Sequence, residues 1–232
     1  MRRAVPAEEV VGMQVFVVGV TGRTGLLLAR DLVSRGDVVR GLVRDDRGRR
    51  AAEEAGVVVT RGDIADLDVG ALAGMLAGAD VVVYAAGSNG GAREVTDAVD
   101  GEGVCTALAA AVATGVPRFL LLSVLPEAWR ERELPPDEEH YFHVKKRADV
   151  DVTRSSLDWV VLRPSLLTDG SATDAVTLGP AVVHGEVGRA DVAATIAEIV
   201  HEPGISRQVL ELDGGRTPVR DAVRQNVVGS TR

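Results

Sequence analysis

"QVFVVGVTGRTGLLLARDLVSRG", residues 14 to 36, decides the fold. Its opening, "QVFVVGV", is a short, almost wholly apolar run rich in β-branched residues, the composition of a strand buried on both faces. Helical spacing follows in "RTGLLLARDLVSRG" and stops at Gly36. Between the two, "GVTGRTG" sets Gly19 at the end of the strand and Gly22 and Gly25 at the start of the helix. A glycine ending the strand permits a tight turn. One at the helix start lets the backbone approach a pyrophosphate, and a third allows close packing of helix on sheet. The helix N-terminus adds unpaired N–H groups that suit an anion.

The same alternation continues along the chain. "VVRGLVR" leads to a helix near 46 to 55, "VVVTRGD" to one near 67 to 77, "DVVVYAAG" to one near 94 to 114, and "RFLLLS" closes a fifth unit. Strands alternating with helical crossovers predict a parallel sheet in an α/β fold. A helix from about 137 to 155, with Asp137 as its expected N-cap, and the run "LDWVVLRP" add a sixth unit. From 165 to 188 the pattern loosens, which marks that segment as the expected substrate lobe. A helix near 189 to 201 and the strand "SRQVLELDGG" follow. The chain is thus expected to be one domain over 13 to 215, with flexible tails at 1 to 12 and 217 to 232.

Composition sets outer limits. A net charge of -8 argues against attraction to nucleic acid or anionic lipid. No apolar run reaches the ~18 residues of a membrane span, and Glu8 and Glu9 interrupt any signal-peptide core, so a soluble cytoplasmic protein is expected. Cys105, the one cysteine, sits in the apolar stretch "VCTALAAAVA" and is expected to be a buried small side chain. The four histidines form no spaced ligand set, so no metal is expected.

The G-x-x-G-x-x-G loop, together with "RGDIADLDVGALAGMLAGADVVVYAAG", "ATGVPRFLLLS" and "LDWVVLRPSLLTDG", resembles the atypical short-chain dehydrogenase/reductases of the NmrA-like, NAD(P)H-binding group. The resemblance covers nearly the whole chain, about residues 13 to 215. It implies a Rossmann-like, doubly wound parallel sheet with a small C-terminal substrate-binding lobe. It also implies cofactor contacts from Gly19, Thr21, Gly22, Arg23, Thr24 and Gly25, from Asp63 and Ile64 beside adenine, and from Ala85, Ala86 and Gly87 after the fourth strand.

Arg44 ends the second strand, where the adenosine ribose is expected, and Arg23 lies in the glycine loop; two guanidinium groups converging on a 2′-phosphate favour NADP(H). Asp45 and Asp46 leave NAD possible, because a carboxylate about 20 residues beyond the loop can bind a ribose 2′-hydroxyl. In the resembled fold Ser123 holds the substrate carbonyl, although the chain reads Ser-Val where Ser-Ser is commoner. "YFHVK" places Tyr141 and Lys145 one helical turn apart on the helix that carries the active site in that family. Tyr141 is then the general acid, with Lys145 stabilising its phenolate and holding the nicotinamide ribose.

Three functional classes share these features. The first is an NAD(P)H-dependent reductase of a small carbonyl, quinone or flavin, or a nucleotide-sugar epimerase or dehydratase relative of it. The second is a regulator that senses the NADP(H) ratio, and the third a cofactor-stabilised assembly protein. The Tyr-x-x-x-Lys pair favours the reductase. A monomer or weak homodimer is expected.

Overall fold

A computed structural model describes residues 12–127 and 133–228. Strand β1 (Gln14–Val18) enters helix α1 (Arg23–Ser34), and the alternation continues with β2 (Val38–Val43), α2 (Asp46–Glu54), β3 (Val58–Arg61), α3 (Val69–Leu76) and β4 (Val81–Tyr84). A long helical run over 93–114 comprises α4 (Arg93–Thr96), a π-helical turn (Asp97–Glu102) and α5 (Gly103–Thr114). Then come β5 (Arg118–Leu122), α6 (Pro136–Thr153), β6 (Asp158–Pro164), β7 (Leu166–Thr168), β8 (Ala175–Gly179), β9 (Glu186–Gly188), α7 (Arg189–Val200), β10 (Gln208–Gly214), β11 (Thr217–Pro218) and α8 (Val219–Gln225).

The main sheet has the order β11-β8-β10-β6-β5-β4-β1-β2-β3. It is parallel from β3 through β10, and β8 and β11 close it with antiparallel pairings. This is a doubly wound, Rossmann-like sheet. The central strands are apolar on both faces because helices cover both. Leu28 and Leu32 of α1 pack with Ile196 and Ile199 of α7 on one face; Leu72 and Leu76 of α3 pack with Val104 and Ala107 of α5 on the other. The order reverses between β1 and β4, and there the crossovers depart in opposite directions and open a crevice at the carboxyl ends of the strands.

Four expectations need correction. Residues 217–225 are not a tail: β11 pairs with β8, and Val219, Ala222 and Val223 of α8 are buried in the core. The expected tails over 1–11 and 229–232 lie outside the described residues. The segment 165–188 is less a separate lobe than a shared one, since β8 joins the main sheet while β7 and β9 pair beside it. Asp137 lies within the first turn of α6; Pro135 is its N-cap and Pro136, with no N–H to lose, starts the helix. Cys105 is exposed, since Val104, Ala107 and Leu108 take the buried face of α5. Partial desolvation of its sulfur, which lies against Asp151, and the Asp151 charge push its thiol pKa up, which disfavours the reactive thiolate.

Candidate active site

The glycine loop is built tightly enough to exclude side chains. Gly19 has φ +91°, and a Cβ there would lie 2.4 Å from the amide nitrogen of Ala86, so the loop lies directly against the chain leaving β4. A Cβ on Gly25 would meet the Gly19 carbonyl oxygen at 2.2 Å. Gly25 therefore serves the packing of α1 rather than the cavity wall.

Helix α1 starts without a side-chain cap and without an acidic residue in its first turn. In contrast, α2 and α3 are capped by Asp45 and Asp68, whose carboxylates accept from Gly48 and Ala71. The α1 N-terminus thus keeps its positive end for an external anion. In front of it lies a cavity of about 510 Å³. Its walls include Gly19, Thr21, Gly22, Arg23 and Thr24, then Arg44, Asp63 and Ile64, then Ala85, Ala86 and Gly87, and finally Ser123, Tyr141 and Lys145. Every residue expected at the site except Gly25 is brought to this one cleft.

At the adenosine end of the cleft, as the resemblance orients it, Arg44 and Asp63 approach to 3.6 Å, with the Arg44 side chain largely exposed. Asp45 is occupied as the α2 cap, and Asp46 pairs with Arg49 at 3.4 Å. Arg23 does not join Arg44. Its guanidinium bonds Asp169, just beyond β7, at 2.9 Å, and Asp169 also accepts from Arg189 at 2.9 Å.

At the other end Lys145 is almost sealed from solvent, its side chain 3 % exposed. Its ammonium donates to the Leu122 carbonyl at 3.2 Å and stands 3.4 Å from Asp100, whose side chain has no exposure. Burial pulls the Lys145 pKa down, but Tyr141, Asp100 and Asp149 outweigh it and the net shift is upward, so the ammonium keeps its charge. The Tyr141 pKa is also raised: burial dominates, Asp100 adds to it, and Lys145 opposes both. Sequence reasoning expected a phenol made more acidic by lysine. Burial of the phenol, with a smaller contribution from Asp100, changes that outcome, and Tyr141 holds its proton through neutral pH.

Asp100 was not anticipated. It lies in the π-helical turn, where the neighbouring Val99 carbonyl accepts from the buried Tyr84 hydroxyl. Asp100 also accepts from the Ser88 amide at 2.9 Å, tying the loop after β4 to the helix. The signal present in the sequence was an acid on the apolar stripe Thr96, Val99, Gly103, Val104 and Ala107. Asp149 was missed as well. It is buried one turn beyond Lys145, held by Arg163 at 2.9 Å, and burial raises its pKa against the opposing pull of Ser123, Arg163 and Lys145. The Ser123 hydroxyl is buried beside it without a hydrogen bond of regular geometry.

A model of a family described as NAD(P)H-binding matches residues 19–203, most of the chain. The chain belongs to that NAD(P)H-binding family. The resemblance to atypical short-chain dehydrogenase/reductases therefore holds, and NAD(P)H binding by this Rossmann-like domain stands with it. Among similar proteins is the uncharacterized sugar epimerase YhfK of Bacillus subtilis, 28 % identical over 92 % of this chain and 100 % of that protein. The structure of a putative NAD-dependent epimerase/dehydratase from Bacillus halodurans superimposes with a TM-score of 0.84, at 28 % identity over 92 % of this chain and 100 % of that one. ChuY, an anaerobilin reductase from Escherichia coli O157:H7, gives 0.71 at 25 % identity, over 87 % of this chain and 97 % of its own. Among the described residues, no helix is long and apolar enough to cross a membrane.

Proposed function

We propose that this member of the NAD(P)H-binding family is an NADPH-dependent reductase of a small carbonyl, quinone or flavin substrate, with Tyr141 as general acid. The observation that carries the reading is the placement of Tyr141 on the wall shared by the cofactor cleft and a second, adjoining cavity, one turn from a lysine fixed by a buried carboxylate. A scaffold has no need of an ammonium held this way in the interior, where desolvation is costly.

When bound, the cofactor supplies a hydride at the nicotinamide end of the cleft. The residues of the chain manage the proton. Tyr141, protonated at neutral pH, donates to the substrate oxygen as negative charge develops there. Lys145 stabilises the phenolate left behind, and Asp100 and the Leu122 carbonyl keep its ammonium in position. Ser123, free of a regular bond, is placed to donate a second hydrogen bond to that oxygen. The amide groups at the start of α1 and the side chain of Arg44 are suited to the pyrophosphate and the 2′-phosphate.

NADP(H) is preferred over NAD(H) in this reading. Asp45 is spent on capping α2, and Arg44 stands exposed at the ribose end. NADPH is expected to bind more tightly than NADH in fluorescence titrations, and Arg44→Ala to reduce that preference about tenfold, in line with loss of one charge-assisted phosphate contact. Equal affinities in the unmodified protein would overturn the preference.

The pH profile tests the acid directly. A general acid works only while protonated, and the Tyr141 pKa is raised above its ordinary value of about 10. Reductive kcat is therefore expected to stay level through neutrality and fall only in strongly alkaline buffer. Asp100→Asn removes a negative charge that raises the phenol's pKa, so the fall should move to lower pH. A profile of the unmodified protein that already falls near neutrality would contradict the assignment. The direct test of the function is NADPH oxidation screened against quinones, flavins and aldehydes. Tight NADPH binding with turnover of none of them would favour a redox-sensing regulator instead.

A further inference from the structure

The second cavity, about 430 Å³, has the size of a pocket for a drug-sized ligand. Val124, Leu125, Phe142, Pro164, Leu166 and Leu167 give its wall an apolar stretch, and it meets the cofactor cleft at Tyr141 and Arg189, among others. Arg189 is the only Lys or Arg among the described residues that line it. The Arg189 side chain is 11 % exposed, while its partner Asp169 is 66 % exposed and is shared with Arg23. A solvated carboxylate thus occupies the guanidinium of the more enclosed Arg189. Such a carboxylate can give way to another, because Asp169 keeps solvent and its bond to Arg23 when it leaves Arg189.

We propose that this cavity binds an apolar, ring-bearing substrate carrying a single anionic group, which Arg189 receives in exchange for Asp169. Placing the anion at Arg189 lays the apolar body along Val124 and Phe142, with its reducible atom next to Tyr141. A nucleotide diphosphate sugar does not suit the cavity. Its two phosphate charges would meet one arginine already shared with Asp169, and Glu138 on the same wall adds a carboxylate. Burying the second phosphate unpaired is strongly unfavourable.

The inference rests on the reductase reading for the position of Tyr141, but binding tests it without turnover. With NADP⁺ present, 2-naphthoate and its neutral counterpart 2-naphthalenemethanol are titrated by calorimetry, and UDP-glucose is tested as a competitor. Naphthoate is expected to bind about tenfold tighter than the alcohol, the effect of one charge-assisted hydrogen bond. Asp169→Asn should tighten naphthoate severalfold and leave the alcohol unchanged. Arg189→Met should equalise the two ligands. Equal affinities in the unmodified protein, failure of both naphthalenes to bind, an Asp169→Asn variant that does not favour naphthoate, or displacement of naphthoate by UDP-glucose would each overturn the proposal. Failure of the reductase reading would show differently, as naphthoate binding intact with no reduction of any ring-bearing carbonyl or quinone.

Discussion

Tyr141→Phe is expected to lower reductive turnover about 100-fold or more and to leave NADPH affinity nearly unchanged. The substitution removes one hydroxyl and keeps the ring, so the edge contact with Phe142, at a centroid separation of 5.7 Å, survives. What is lost is the proton delivered to the substrate oxygen, and a positioned general acid contributes about 10² to 10⁴ in rate. The loss should appear in kcat and kcat/KM together, because the proton moves in the transition state rather than in the ground-state complex. Single-turnover kinetics with preloaded NADPH separate it from any change in binding. Near-normal turnover in the variant would mean that water or another group protonates the product and that "YFHVK" is helix packing alone.

The second large effect concerns Lys145 and Asp100. Lys145→Met strands a carboxylate with no exposure in the interior, and breaking a buried pair from one side costs about 3–5 kcal/mol. In a protein of this length that is a fall in Tm of about 10 °C. Turnover and cofactor affinity should fall as well, since the same ammonium serves both. Asp100→Asn leaves the ammonium with the Leu122 carbonyl and costs less. The double variant Lys145→Met/Asp100→Asn should regain much of the stability lost in Lys145→Met, with a coupling above about 1 kcal/mol, while turnover stays low. Strict additivity of the two stability losses in denaturant unfolding would show that the pair is not coupled.

These effects divide along the line between what could be read from the letters and what could not. The strand, glycine turn and helix over 14–36 announce themselves because every residue in them answers a local demand: β-branched side chains for a buried strand, glycine where φ is +91° at Gly19, leucines at helical spacing. The cofactor cleft followed from them, as the strand ends of a parallel sheet converge at the point where its order reverses. Tyr141 and Lys145 were legible because a single helix sets their spacing.

Asp100 was legible only as an acid on an apolar stripe, because its partners lie elsewhere in the chain, Lys145 on another helix and the Ser88 amide in the loop after β4. Arg23 was placed beside Arg44 on proximity in the fold, yet a free arginine takes whichever carboxylate is near, and Asp169 belongs to a segment with no regular periodicity. Helix α8 was misread for a related reason. "VRDAVRQ" has too few apolar residues to signal a helix, and its burial comes from helix α7 and strand β8, both well before it in the chain. Asp149 and Arg189 acquire meaning only through partners far along the chain, Arg163 in one case and Asp169 in the other.

The π-helical turn at Asp97–Glu102 also changes what kind of alteration the site can survive. A π turn is an α-helix carrying one surplus residue. Removing a single residue there would relax the helix to its ordinary pitch, leaving the turns on either side in phase and moving the residues within the turn. Asp100 would lose its place beside Lys145 and the Val99 carbonyl its place beside Tyr84, although neither residue had been altered. The lysine's environment is therefore specified by a residue count as much as by residue identity. A relative with the same letters on either side of this turn but one residue fewer within it would share the motif and lack the arrangement.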